Sequence, residues 1–131
     1  MPKYTFEHVH LLSKDALAAG RFYREMFGAE TREAVAWNGL PRCDMKVGGH
    51  TLLITTASGE PNDTAGNPHQ QMGIDHFGFL VDDMTAAVED LKRKGAEFSS
   101  EPHDFRGAIV AFVRAPDGVS IELVQPGMTT D

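Results

Sequence analysis

A carboxylate sits in the middle of an apolar run near the end of the chain, Ile121-Glu122-Leu123-Val124. In a strand, Glu122 and Val124 share one face while Ile121 and Leu123 take the other. An ionised carboxyl is expensive to bury without a partner, so the groups that could meet Glu122 bear on what it does. Histidines are the natural candidates. His8 and His10 stand two residues apart in Phe6-Glu7-His8-Val9-His10-Leu11-Leu12, and His76 lies in Ile74-Asp75-His76-Phe77. Imidazole and carboxylate side chains move protons near neutral pH and ligate divalent metals. His10 faces the same way as His8 on a strand, so it is a candidate general acid or base, with a packed polar role or a hydrogen bond to substrate as alternatives.

The surrounding sequence must position these groups. Residues 4–12 read as a strand, and Asp15 is a plausible cap for a helix whose stripe is Ala16, Ala19, Tyr23 and Met26, closed by Gly28. Strands follow at 31–38, 42–47 and 51–56, with turns at Asn38-Gly39 and Gly48-Gly49. Residues 58–72 lack periodicity and are rich in Gly, Pro, Asn, Asp and Thr, so they read as a linker or lid. The order then recurs: a strand at 73–81, a helix capped by Asp82-Asp83 with stripe Met84, Ala87, Val88 and Leu91, a short strand at 97–101, and a closing hairpin around Ala115-Pro116-Asp117-Gly118.

The recurrence extends to individual residues. At a spacing of 68, His8 falls on His76, Leu12 on Leu80, Asp15 on Asp83, Ala18 on Ala86 and Ala19 on Ala87. Near the ends, Gly49-His50-Thr51-Leu52-Leu53-Ile54 falls on Gly118-Val119-Ser120-Ile121-Glu122-Leu123. This predicts two βαβββ modules, about 3–57 and 73–126, related by a pseudo-two-fold axis within a single domain spanning 1–131. Equivalent faces would then look onto a shared cleft, with His8 and His76 meeting there, Glu122 entering from a last strand, and Leu53 in the equivalent place of the first module.

At these residues the chain resembles the vicinal oxygen chelate superfamily, which includes glyoxalase I, methylmalonyl-CoA epimerase, extradiol dioxygenases, fosfomycin-resistance thiol transferases and bleomycin-binding proteins. The resemblance rests on Glu7-His8-Val9 through Phe27-Gly28, on Asp75-His76-Phe77 through Val81-Asp82-Asp83, and on Arg114-Ala115-Pro116-Asp117-Gly118 through Ile121-Glu122-Leu123. It implies an α+β fold in which paired modules form a cup-shaped, partly open barrel. It also implies that His8, His76 and Glu122 bind a divalent metal, and two imidazoles with one carboxylate suit Zn, Ni, Mn, Fe or Co. Glyoxalase I and the epimerase carry a fourth ligand where this chain has Leu53, and leucine cannot ligate. The resemblance therefore points to a glyoxalase-like lyase or isomerase acting on a small oxygenated substrate, with strict glyoxalase I activity in doubt. A ring-cleaving Fe(II) dioxygenase, a thiol transferase and a non-catalytic antibiotic-binding protein are the alternatives. Family members commonly form homodimers, so the ligands come from one chain or from two.

Other residues carry weaker expectations. Leu53, Trp37 and Arg114 are candidates to contact substrate, as are Phe105 and Met72 for a wall and Arg42, Lys46 and Arg106 for an anion. His50 has the wrong parity for the cleft, His69 and His103 fall in predicted loops, and Cys43 reads as a buried spectator. The formal net charge of −7 and the lack of a basic run argue against nucleic acid. No apolar stretch is long enough for a membrane helix, and a single cysteine precludes an internal disulfide, which fits a cytoplasmic setting. The N-terminal residues lack the apolar segment of a signal peptide.

Overall fold

The computed structural model describes residues 3, 6–58, 74 and 76–127. The chain divides into two compact units, Met1–Asn62 and Asp63–Asp131. Each is an α+β module with the order βαβββ.

In the first unit, β1 (His8–Ser13) leads into α1 (Ala16–Phe27), followed by β2 (Glu30–Val35), β3 (Pro41–Val47) and β4 (His50–Thr56). The sheet order is β1-β4-β3-β2, with β1 parallel to β4 and the remaining pairs antiparallel. The helix starts where the Asp15 carboxylate accepts a hydrogen bond from Ala18 N at 3.1 Å, satisfying an otherwise unpaired first-turn donor. It ends at Gly28, whose φ of 71° is accessible to glycine without a Cβ clash. The predicted stripe holds, with Ala16, Ala19 and Tyr23 buried and Met26 half-buried. Cys43, Met45, Leu52 and Ile54 form the buried face of the sheet. Cys43 packs so closely under the helix that a Cβ on Gly20 would lie 2.5 Å from its Sγ. Burial pushes the Cys43 thiol up, and Glu33 and Asp44 add to the effect, so its role is packing rather than nucleophilic chemistry.

The second unit repeats this plan with β5 (Phe77–Leu80), α2 (Met84–Arg93), β6 (Phe98–Phe105), β7 (Ala108–Arg114) and β8 (Ser120–Gln125), in the order β5-β8-β7-β6. Asp83 caps α2 as Asp15 caps α1, accepting from Ala86 N at 3.1 Å. Met84 and Leu91 are buried from the helix, Ala111 and Val113 from β7, and Ile121 and Leu123 from β8. These last two residues thus occupy the apolar side of their strand and leave Glu122 on the other.

Several predicted boundaries move. The strand expected at 31–38 stops at Val35, because Ala36 N donates to Leu40 O and Gly39 N to Ala36 O, closing the turn early. The short strand at 97–101 extends to Phe105, and His103, expected in a loop, lies in β6 opposite Val110. Pro102 and the polar residues around it read as a loop, but β6 is an edge strand with register irregularities, where a missing donor is tolerated. Of the segments expected at 4–12 and 73–81, His8–Ser13 and Phe77–Leu80 are strand, while residues 4, 5, 73 and 75 lie outside the described residues. His69 and Met72 lie outside them as well.

Candidate metal and substrate site

Strand register identifies equivalent positions in the two modules. In the first, Val9 pairs with Leu52 and His10 with Leu53 across the parallel β1–β4 ladder. In the second, Phe77 pairs with Ile121 and Gly78 with Glu122 across β5–β8. Each pair of one module maps onto a pair of the other, so Leu53 stands where Glu122 stands, and His10 where Gly78 stands. The module that carries the carboxylate has glycine beside it; the module that lacks it has a histidine.

The glycine has a direct consequence. A Cβ at Gly78 would lie 3.0 Å from the Glu122 carbonyl oxygen and 3.4 Å from its Cβ. The space there thus belongs to close packing against Glu122.

Next to this contact, His76 Nε2 and Glu122 Oε1 lie 3.1 Å apart. The side chains are 33% and 22% exposed, so the pair is sheltered yet open to a small molecule. The His76 ring meets Phe112 edge to face, with centroids 5.2 Å apart, and Phe112 is the cross-strand neighbour of Glu122 on β7. An aromatic wall on one side and the carboxylate on the other restrict the imidazole to few orientations. One imidazole nitrogen and one carboxylate oxygen form a donor pair suited to a borderline divalent cation. The structure therefore brings together two of the three expected ligands within one unit. Among the described residues there is no group of three or more His, Cys, Asp or Glu side chains that could hold a metal ion.

His8 occupies the strand of the first unit that corresponds to this region and is partly exposed, with Nδ1 3.0 Å from Glu7 Oε1. His10 lies two residues further along, and its Nε2 is 2.7 Å from Oγ1 of the buried Thr55. If Nε2 carries the proton and donates to Thr55, Nδ1 is left with a free lone pair. The other expectations separate clearly. Leu53 is half-buried opposite His10, Trp37 is 85% exposed at the β2–β3 turn, and Arg114 is exposed at the end of β7. Arg42, a candidate for holding an anion, is already engaged by Asp44, with its Nη2 and Nε donating to Oδ1 at 2.6 and 2.9 Å. Arg106 lies over the Phe105 ring. His50 turns to Phe6 in an edge-to-face contact.

Thr55 and Phe112 were not singled out from sequence. Phe112 was within reach: counting back from the Pro116–Gly118 turn in an antiparallel hairpin places it opposite Glu122. Thr55 was not, because its bond to His10, 45 residues away, depends on β1 and β4 being parallel neighbours.

Paired βαβββ modules carrying a His–Glu pair on the second define a glyoxalase-type architecture. The chain belongs to the Glyoxalase/Bleomycin resistance protein/Dioxygenase superfamily, whose model matches residues 5–123. It is 30% identical over 126 residues to the mitochondrial methylmalonyl-CoA epimerase of Homo sapiens, covering 90% of this chain and 72% of that protein. A "Probable lactoylglutathione lyase, chloroplastic" of Arabidopsis thaliana is 41% identical over 61 residues, 45% of this chain but only 17% of that protein, so the match spans less than a fifth of its length. Among solved structures, a glyoxalase family protein from Enterococcus faecalis superposes with a TM-score of 0.77 at 26% identity, covering 92% of this chain and 97% of that one. A fosfomycin resistance protein from Listeria monocytogenes, complexed with manganese(II) and a dihydroxypropylphosphonic acid, shares the fold at 17% identity and a TM-score of 0.70, with 93% and 92% of the two chains covered. Among the described residues no helix is long and apolar enough to cross a membrane.

Proposed function

We propose that this chain is a divalent-metal-dependent lyase or isomerase that acts on a small oxygenated molecule. The observation that carries this reading is the His76–Glu122 contact at 3.1 Å on the helix-distal face of β8. In this reading His76, Glu122 and His8 hold the cation, with His8 contributed by the same chain or by a second copy in a homodimer. The cation would polarise a bound carbonyl and stabilise negative charge on oxygen as a neighbouring carbon loses a proton.

The protein side chains do the rest. Glu122 supplies negative charge from an otherwise apolar strand, and Phe112 holds the His76 ring against it. His10 moves the proton through Nδ1 while Nε2–H is anchored on Thr55 Oγ1. Leu53 offers an apolar surface at the position equivalent to Glu122 and would supply no ligand. The human epimerase, which matches over most of both chains, supports isomerisation as the reaction class.

The test is metal uptake. Purified chain titrated with Mn(II), Ni(II), Zn(II) or Fe(II) should bind close to one equivalent and gain thermal stability in proportion to occupancy. A chain that binds none of them and shows no change in unfolding temperature would rule the reading out. The metal-loaded protein, assayed against 2-oxoaldehyde–thiol adducts, acyl-CoA esters and catechols, should turn over one of the first two.

The assignment of His10 makes a separate prediction. Thr55→Val keeps the side-chain volume but removes the hydroxyl that anchors Nε2. Metal affinity should be unchanged and kcat should fall about 10-fold or more, within the usual range for a mispositioned acid–base group. Unaltered kcat and pH profile in that variant would remove His10 from the proton transfer.

A further inference from the structure

Strand period divides β3 between two environments. Cys43, Met45 and Val47 are buried on the side that packs α1, so Arg42, Asp44 and Lys46 lie on the other. Register fixes their neighbours there. Leu53 is the cross-strand partner of Asp44 on one side and of His10 on the other, and Arg42 is the partner of Thr55, whose hydroxyl holds the His10 ring. His10, Leu53 and Asp44 thus form one row across three strands, and strands about 4.8 Å apart put the two ends of that row about 10 Å from each other.

The Arg42–Asp44 ion pair in this row is incompletely used. Arg42 Nη2 and Nε both donate to Oδ1, at 2.6 and 2.9 Å. Asp44 Oδ2 and Arg42 Nη1 have no hydrogen-bond partner among the described residues. The two side chains are 27% and 28% exposed, sheltered enough to strengthen a hydrogen bond and open enough for a small molecule to reach. Arg32, the partner of Asp44 on β2, is exposed and makes no ion pair with it, and beyond them Lys46 faces Glu30.

We infer that the Arg42–Asp44 pair is a subsite for an uncharged carboxamide arm of the substrate. Its spare groups are one acceptor and one donor, and a primary carboxamide supplies the matching N–H and C=O. A carboxylate would meet the Asp44 oxygen with like charge, and an ammonium would meet the guanidinium. The substrate would lie over Leu53, with its amide within about 10 Å of the carbon whose proton His10 moves. This deepens the proposed function and rests on it for the identity of the reacting end, but the amide subsite can be tested without metal.

The experiment uses the full chain in EDTA with propionamide as probe and propionate and propylammonium as its charged counterparts. Binding is followed by the Arg42 Nε–H signal and the backbone amides of Asp44 and Leu53. Propionamide should give saturable shifts there and bind at least about 10-fold more tightly than either ion, as expected where a hydrogen bond to a charged group is replaced by repulsion. Asp44→Asn leaves the guanidinium unneutralised, so the order should invert in favour of propionate. Arg42→Gln leaves the carboxylate unneutralised, so propylammonium should become the tightest of the three. Arg32→Gln should leave propionamide binding unchanged; an equal loss there would assign the effect to general surface charge and overturn the subsite. A merely structural ion pair would lower the unfolding temperature in Asp44→Asn and Arg42→Gln without inverting any preference. Both variants should keep parental metal uptake, which separates failure of the subsite from failure of the metal reading. Absence of saturable propionamide shifts in the parent, equal affinity for propionamide and propionate, or an unchanged order of preference in both variants would overturn the subsite.

Discussion

Glu122→Gln is expected to fold normally and to lose at least about 100-fold in affinity for divalent metal, with activity falling in step. Removing an outer-shell partner of a metal ligand already lowers affinity by about 10- to 100-fold. Here a ligand itself changes from an anion to a neutral amide, so the loss should be larger. The fold should tolerate the change because glutamine has the same shape and its amide oxygen can still accept a hydrogen bond from His76 Nε2 across the 3.1 Å contact. The face of β8 that packs the core is carried by Ile121 and Leu123, which the substitution does not touch. Metal-free stability should therefore change by no more than about 1 kcal/mol, the scale of one partly exposed polar interaction. Metal titration followed by calorimetry or by Mn(II) spin resonance reads the first effect, and thermal unfolding in EDTA reads the second. His76→Ala should reproduce the loss of metal. If either variant binds metal as tightly as the parent, the pair is a structural hydrogen bond and not part of a metal site.

Gly78→Val should impair both folding and the site. Even the first added carbon would press on the Glu122 carbonyl at 3.0 Å and its Cβ at 3.4 Å, and valine adds two methyl groups beyond it. β5 and β8 are parallel neighbours at this point, so β5 cannot move away without loosening the ladder from Phe77 to Leu80. Overpacking of this kind typically destabilises by about 1–3 kcal/mol, which for a domain of this size corresponds to roughly 3–4 °C in Tm per kcal/mol. Because the crowded atoms belong to Glu122 itself, metal affinity should fall together with stability. Gly78→Ala should show the same pair of effects at smaller size. If Gly78→Val melts with the parent and binds metal with parental affinity, the close approach of the two strands is not a constraint on the site. The equivalent substitution in the other module carries no such expectation, since His10 already fills the corresponding place opposite Leu53.

Much of the fold was legible in the chain because local chemistry and tertiary structure agree there. Asp15 and Asp83 cap their helices because each side chain meets a donor three residues ahead, an interaction that needs no distant partner. The alternation of Ile121, Glu122 and Leu123 set the faces of β8 because strand period is a property of the backbone. Where the reading missed, contacts outside the strand itself decided. The extension of β6 through Pro102 to Phe105 depends on β7 lying alongside it, and β2 ends early because the local Ala36–Leu40 turn closes first.

Within the site the same division holds. The sequence by itself determined which residue types were available and which faces they share. It placed His8 with His10, isolated Glu122 on an apolar strand, and paired it with Leu53 through the repeat. Only the tertiary structure decided what each group meets. Parallel pairing of β5 with β8 set Gly78 against Glu122, and parallel pairing of β1 with β4 gave His10 its Thr55 anchor. The approach of His76 to Glu122 likewise emerges only in the folded chain. The physical reason is that parallel pairing joins residues about 45 positions apart, and neither the faces of a strand nor the propensities of its residues specify which distant side chain will stand across from a given one.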